Sequence, residues 1–233
     1  MLISFRFIEP LVNLGLVLCV GLSMPLELGL ARSAKSTNSL AGETAFDRAI
    51  QEVGGIRRGE VSYLAFSDQF NPELHAAVRE RFEQFLDNSS SPITYSYAEI
   101  DLNGDGRNEA FVKVNSSFAA GSGGVHTLVF QANTNIYELI HVFLHQVSLV
   151  ILPNQTSGWR DILVVPGRIF TPNFGIFYSR CSYNAAAQNS SGVDYLSSPT
   201  HYRDCQEVQR NSTIDGVVIH TGGFNVSYPE FEL

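Results

Sequence analysis

The sequence predicts an α+β fold in which two N-terminal helices pack on a mainly antiparallel β-sheet, followed by a C-terminal extension tied by a disulfide. Three observations carry this expectation. Apolar residues recur at helical spacing only before Asn88. After it come short runs of β-branched and aromatic residues separated by Gly, Asn, Ser or Pro, the pattern of strands and turns. Finally, Cys181 and Cys205 are the only cysteines outside the apolar leader. The chain has 233 residues, 44% of them apolar, enough to build a core. Only 16% are charged, which disfavours long exposed helices and disordered chains.

The first segment reads as an address. Residues 10–26 carry no charge, their centre Leu14-Gly-Leu-Val-Leu-Cys-Val-Gly-Leu22 is strongly apolar, and Arg6 precedes them. This is the layout of a secretory leader, with small residues at Ala31, Ser33 and Ala34 for cleavage. A membrane-spanning helix needs roughly 20 apolar residues. Here Pro10, Asn13 and Pro25 interrupt the run, so residues 1–34 are expected to be a signal peptide rather than a stable anchor. Leu18 stands before Cys19 where lipidation needs a small residue. Export to the periplasm or cell exterior follows, and an even pair of cysteines in that oxidising setting predicts a Cys181–Cys205 bridge. Asn-x-Ser/Thr sequons at Asn88, Asn115, Asn154, Asn189, Asn211 and Asn225 mark surface loops.

Residues 35–42, rich in Ser, Ala and Gly, read as a linker to a single domain over 43–233. Thr44-Ala-Phe-Asp47 resembles a capping box, Phe46, Ile50 and Val53 follow at helical spacing, and Gly54-Gly55 stops the pattern; this is the first expected helix. The second opens with Asn71 as N-cap and Pro72 at its first position, then places Leu74, Val78, Phe82, Phe85 and Leu86 on one face. Strands are expected at 95–100, 109–115, 125–131, 136–142, 147–152 and 162–165, with a last pair within 216–228. Along 110–115, Ala110, Val112 and Val114 share one face while Phe111, Lys113 and Asn115 share the other, as in a half-solvated sheet.

Between the first two strands lies Asp101-Leu-Asn103-Gly-Asp105-Gly-Arg107-Asn-Glu109. Oxygen side chains at positions 1, 3, 5 and 9 with Gly at position 6 match the first part of a calcium loop. The expected ligands of a structural Ca2+ are Asp101, Asn103, Asp105 and Glu109, with Arg107 contributing its main-chain carbonyl and leaving its side chain free. Val112 replaces the bidentate Glu of an EF-hand, and the alternation of 110–114 excludes an exiting helix. The competing reading is an ordinary polar hairpin, because Asn-Gly and Asp-Gly are good turn formers without any ion.

The loop resembles the Asp-rich strand-turn-strand loops of FG-GAP and similar extracellular β modules. A wider stretch, Tyr97-Ala-Glu-Ile-Asp-Leu-Asn-Gly-Asp-Gly, Gly121-Ser-Gly-Gly124, Thr127-Leu-Val-Phe130 and Gly158-Trp-Arg-Asp-Ile-Leu163, resembles a family of small uncharacterised secreted or periplasmic bacterial proteins over residues 94–166. That family commonly flanks the glycine turn with two cysteines. Ala120 and Val125 stand there in this chain, so the staple is absent and a thiol role at the turn is excluded. The resemblance implies compartment and fold rather than an activity.

A net charge of −8 is the wrong sign for holding a phosphate backbone, so nucleic acid is not an expected partner. The glycine turn lacks a Gly-x-Ser-x-Gly elbow and a Walker lysine. His141 and His145 have ligand-like spacing without an evident third ligand, and Trp159 is expected to open a strand. No catalytic set assembles in the sequence. The expectation is therefore a non-enzymatic binding or structural module, stabilised by calcium and facing an envelope polymer or protein partner. Two alternatives stand beside it. One is an envelope-polymer hydrolase with a pocket on His126, Glu99 and the glycine turn; the other is an inhibitor of a secreted enzyme.

Overall fold

A computed structural model describes residues 46–47, 50, 56–87, 91–116, 120–121, 124–166, 178–186, 200–209, 211–220 and 228–233. The expected signal peptide and linker lie outside these residues. The elements run β1 (Arg57–Tyr63), α1 (Pro72–Leu86), β2 (Thr94–Ile100), β3 (Glu109–Asn115), β4 (Ala120–Gly121), β5 (Gly124–Ala132) and β6 (Tyr137–Thr156). They continue with β7 (Trp159–Pro166), β8 (Ser179–Tyr183), β9 (Tyr202–Glu207), β10 (Thr213–His220) and β11 (Phe231–Glu232). All fall within one compact unit, Lys35–Leu233.

The α+β expectation with two N-terminal helices is overturned: among the described residues the fold is mostly β-sheet, and Pro72–Leu86 is the one bounded helix. Most of the segment expected as the first helix lies outside the described residues. Its Phe46 and Ile50 are buried beside Val150, Leu163 and Val218. The stretch that follows is a strand. β1 pairs in parallel with β10, more than 150 residues away, so nothing local in 57–63 announces its partner. The expected C-terminal extension is likewise corrected, because β8, β9, β10 and β11 all join the hydrogen-bonded strand network.

The eleven strands form one hydrogen-bonded network that β6 divides into two sheets: its first part carries β5, β4, β3, β2 and β11, and its second part carries β10, β1, β7, β8 and β9. Along the path β11-β2-β3-β5-β6-β7-β8-β9 every pairing is antiparallel. Two strands expected at 136–142 and 147–152 are one continuous strand that changes partner midway. Its first part pairs with β5 as far as Gln146, and Ser148 to Ile151 pair with β10. Strands that pass from one sheet to the next in this way make the corners of sheet-on-sheet packings. The core between the sheets joins Ala98, Phe111 and Val129 to Leu149, Ile162 and Tyr202. Both faces of β3 are therefore covered, and the half-solvated sheet is corrected. Lys113 is only 7% exposed, with its Nζ 4.5 Å from the centre of the Tyr228 ring.

The helix follows its sequence signals closely. Asn71 caps it, its Oδ1 accepting the Leu74 N–H at 3.0 Å, and Pro72 starts it where no N–H is needed. Leu74, Val78 and Phe82 are fully buried against Tyr95, Val112 and Leu128.

The predicted bridge is present. Cys181 on β8 and Cys205 on β9 are bonded across neighbouring antiparallel strands, with Cα atoms 4.0 Å apart. No helix among the described residues is long and apolar enough to cross a membrane.

Candidate metal centre

Residues 101–108 connect β2 to β3 at the end of the sheet where Ile100 faces Glu109. Short polar side chains fold this turn back on itself. Asp101 Oδ1 accepts the N–H groups of Gly104 at 2.7 Å and Asn103 at 3.2 Å, and Oδ2 accepts that of Gly106 at 3.0 Å. Asn103 Oδ1 takes the Asp105 N–H at 2.9 Å, and Asp105 Oδ1 takes the Arg107 N–H at 2.8 Å. Each is an Asx turn of the type these residues favour. Gly106, at φ +84°, adopts the left-handed conformation the sequence expected of it.

The two ends of the loop are electrostatically unlike. Desolvation opposes the Asp101 charge, but the N–H groups of Gly104, Gly106, Asn103 and Asp105 outweigh it and hold its pKa below the usual carboxylate value. Glu109, in contrast, has no exposed surface. Burial, which dominates, together with the charges of Asp105 and Asp101 pushes its pKa up to about 7, against the Leu102 N–H donated to its Oε2 at 2.8 Å. Its Oε1 is buried without a hydrogen-bond partner. Such an oxygen is rare in a folded interior and calls for a water, a proton or an ion.

The loop is fastened from the second sheet. The Arg160 N–H at the start of β7 donates to the Leu102 carbonyl at 2.8 Å, and the Tyr202 hydroxyl donates to the Arg160 carbonyl at 3.1 Å. Trp159 and Tyr183 stack with ring centres 4.3 Å apart, and Tyr183 stacks on His201 at 5.2 Å. Tyr183 shares a buried cluster with Leu102 and Trp159, and burial, followed by the charges of Glu109 and Glu138, raises its pKa. None of this aromatic bracket was visible in the sequence, since Trp159, Tyr183 and His201 come together only through the long-range pairing of β7, β8 and β9.

Asp101, Asn103, Asp105, Arg107 and Glu109 therefore share one turn. Among the described residues, no three His, Cys, Asp or Glu side chains stand preassembled around a common point for a metal ion. Donor chemistry nonetheless fits a hard cation. Asp101 Oδ2, engaged by a single N–H, keeps a second lone pair, and the bare Oε1 of Glu109 adds another.

Other candidates are not brought together. Glu99 accepts hydrogen bonds from the Tyr137 hydroxyl at 2.9 Å and from Asn71 Nδ2 at 3.3 Å, which anchors the start of α1. In register it faces Ala110 and, through it, Phe130, four residues along β5 from His126. That displacement is about 13 Å at strand rise, so no Glu99–His126 pocket forms. His141 is buried and pushed down to about 3 by desolvation and by His201, hence neutral. The side chains of His145 and of the glycine turn at 121–124 lie outside the described residues.

No protein-family model matches this chain, and neither a curated protein nor a solved structure is significantly similar to it.

Proposed function

We propose that the chain is an exported binding or structural module whose 101–109 hairpin holds one calcium ion. The observation that carries the reading is Glu109: a buried carboxyl beside two further carboxylates, with one oxygen left without a partner. A divalent cation would satisfy that oxygen and offset the repulsion of Glu109 by Asp101 and Asp105 in one step. Asp101, Asn103, Asp105 and Glu109 would supply side-chain oxygens and Arg107 its carbonyl. The ion would act as a tie between β2 and β3, and through Leu102 and Arg160 it would steady the contact between the two sheets. Export is supported by the Cys181–Cys205 bridge, which suits an oxidising compartment, and by the apolar leader.

Titrating calcium into the protein with the disulfide intact, by calorimetry and by melting temperature, tests this. Saturable heat and a rise in melting temperature that magnesium does not reproduce, both lost in Asp105→Ala, are expected. Absence of heat and of any melting shift up to millimolar calcium would reduce the loop to a polar hairpin.

A further inference from the structure

We propose that the 101–109 turn modifies itself: the Gly104 nitrogen closes on the Asn103 side chain to form a succinimide, with Asp101 as the base, and water opens the ring to aspartate or isoaspartate. The step needs no bound ion and stands apart from the calcium reading.

Asn103-Gly104 is the only Asn-Gly pair in the chain. Glycine leaves the attacking nitrogen unhindered: Gly104 is exposed at φ +77°, and a Cβ there would meet no atom within 4 Å beyond its chain neighbours. Three hydrogen bonds then assemble the groups that cyclisation needs. Asp101 Oδ1 accepts the Gly104 N–H at 2.7 Å, so a carboxylate stands where the proton must leave the attacking nitrogen. Asn103 Oδ1 accepts the Asp105 N–H at 2.9 Å, which folds the side-chain amide over the Gly104 peptide. The same N–H sits on the oxygen that becomes negative as its carbon is attacked. Asn103 Nδ2 donates to Asp105 Oδ2 at 3.1 Å, which fixes the rotation of the amide. Base, electrophile and oxyanion donor thus share residues 101–105.

The chemistry balances with water alone. The bond from the Gly104 nitrogen to Asn103 Cγ forms, the bond from Cγ to Nδ2 breaks, and the amide proton passes through Asp101 to the departing nitrogen, which leaves as ammonia. Water adding at Cγ restores the ordinary main chain with an aspartate. Water adding at the main-chain carbonyl carbon of residue 103 gives isoaspartate, whose backbone is longer by a methylene. Either product sets a further carboxylate beside Asp101 and Asp105, so the turn of an aged molecule differs in charge from that of a new one.

Peptide mass spectrometry with isoaspartate detection follows residue 103 in the disulfide-intact protein at neutral pH with a chelator present, both folded and unfolded in guanidinium chloride. Conversion of Asn103 should run faster in the folded protein than in the unfolded chain. It should slow at least about tenfold in folded Asp101→Asn, which keeps an acceptor for Gly104 but loses the base. In guanidinium the parent and the variant should convert alike. Conversion that is equal or slower in the folded protein overturns the inference, and so does a folded variant that converts as fast as the parent. If Asp101→Asn fails to fold, the comparison of folded with unfolded parent decides by itself.

Discussion

Glu109 Oε2 accepts the Leu102 N–H at 2.8 Å, while Oε1 of the same carboxyl is enclosed and partnerless. One residue thus closes the 101–109 turn and leaves an electrostatic debt within it. With its pKa raised from 4.5 to about 7, the folded protein holds a proton that the unfolded chain has released. Stability contributed by the protonated form is present below about pH 4.5 and is lost as pH rises to about 7.

Glu109→Gln removes this titration while keeping the acceptor for Leu102. In calcium-free buffer at pH 8 the variant should be more stable than the parent by on the order of 2 kcal/mol, with the difference vanishing near pH 4. His141 pulls the other way: its lowered pKa makes stability fall as pH drops from 6.5 toward 3 in both proteins. Urea denaturation of the pair across pH therefore isolates Glu109 in the difference curve. A flat difference would show that the carboxyl is not strained by its site. Calcium should reverse the order at pH 8 by stabilising the parent alone.

These residues also show what a sequence can disclose. The turn, its Asx pattern and the role of Gly106 were legible because every partner lies within a few residues. The same holds for Asn71, Pro72 and the apolar stripe of α1. The burial of Glu109 was not legible, because the core beside its turn, where Leu102 meets Trp159, Tyr183 and Tyr202, is assembled only through the pairing of β7, β8 and β9. The parallel pairing of β1 with β10 was equally hidden, and so was the continuity of β6. Short apolar runs split by His145-Gln146 read as two strands when local alternation is the only guide. Sheets are fixed by contacts distant in sequence, and periodicity carries no information about them.

Reduction of Cys181–Cys205, or its replacement by serines, should lower stability by about 3 kcal/mol, the loop-entropy value for ends some two dozen residues apart. Chemical denaturation with and without a reductant measures it. The loss should come without a change in calcium affinity, since the bridge ties β8 to β9 and supplies no oxygen to the loop. A bridge that contributes nothing would mean that pairing of the two strands already restrains the unfolded chain.

Asn71 joins the helix to the sheet: it caps Leu74 through Oδ1 while Nδ2 reaches Tyr137 at 3.1 Å and Glu99 at 3.3 Å. Asn71→Ala should cost about 1–2 kcal/mol through loss of the cap. Asn71→Asp keeps an acceptor for Leu74 but sets a carboxylate against Glu99, so it should approach the parent only at low pH. Thermal melts of the three proteins at pH 4 and pH 7 decide the matter, and an aspartate variant as stable as the parent at pH 7 would exclude the Glu99 contact.

Gly216 and Gly106 both hold positive φ, at +144° and +84°, but for different reasons. A Cβ on Gly216 would lie 2.3 Å from the Ile151 carbonyl oxygen, at the crossing where β10 passes between β1 and β6; a Cβ on Gly106 would meet no atom within 4 Å beyond its chain neighbours. Gly106→Ala should therefore cost only the backbone term, about 1 kcal/mol. Gly216→Ala must also push two strands apart and should cost about 3 kcal/mol or more. Urea midpoints of the two variants separate conformational strain from steric exclusion. Equal losses would mean that β10 shifts freely against β6, and the close approach of Gly216 to Ile151 would then have no part in fixing the register of the shared strand.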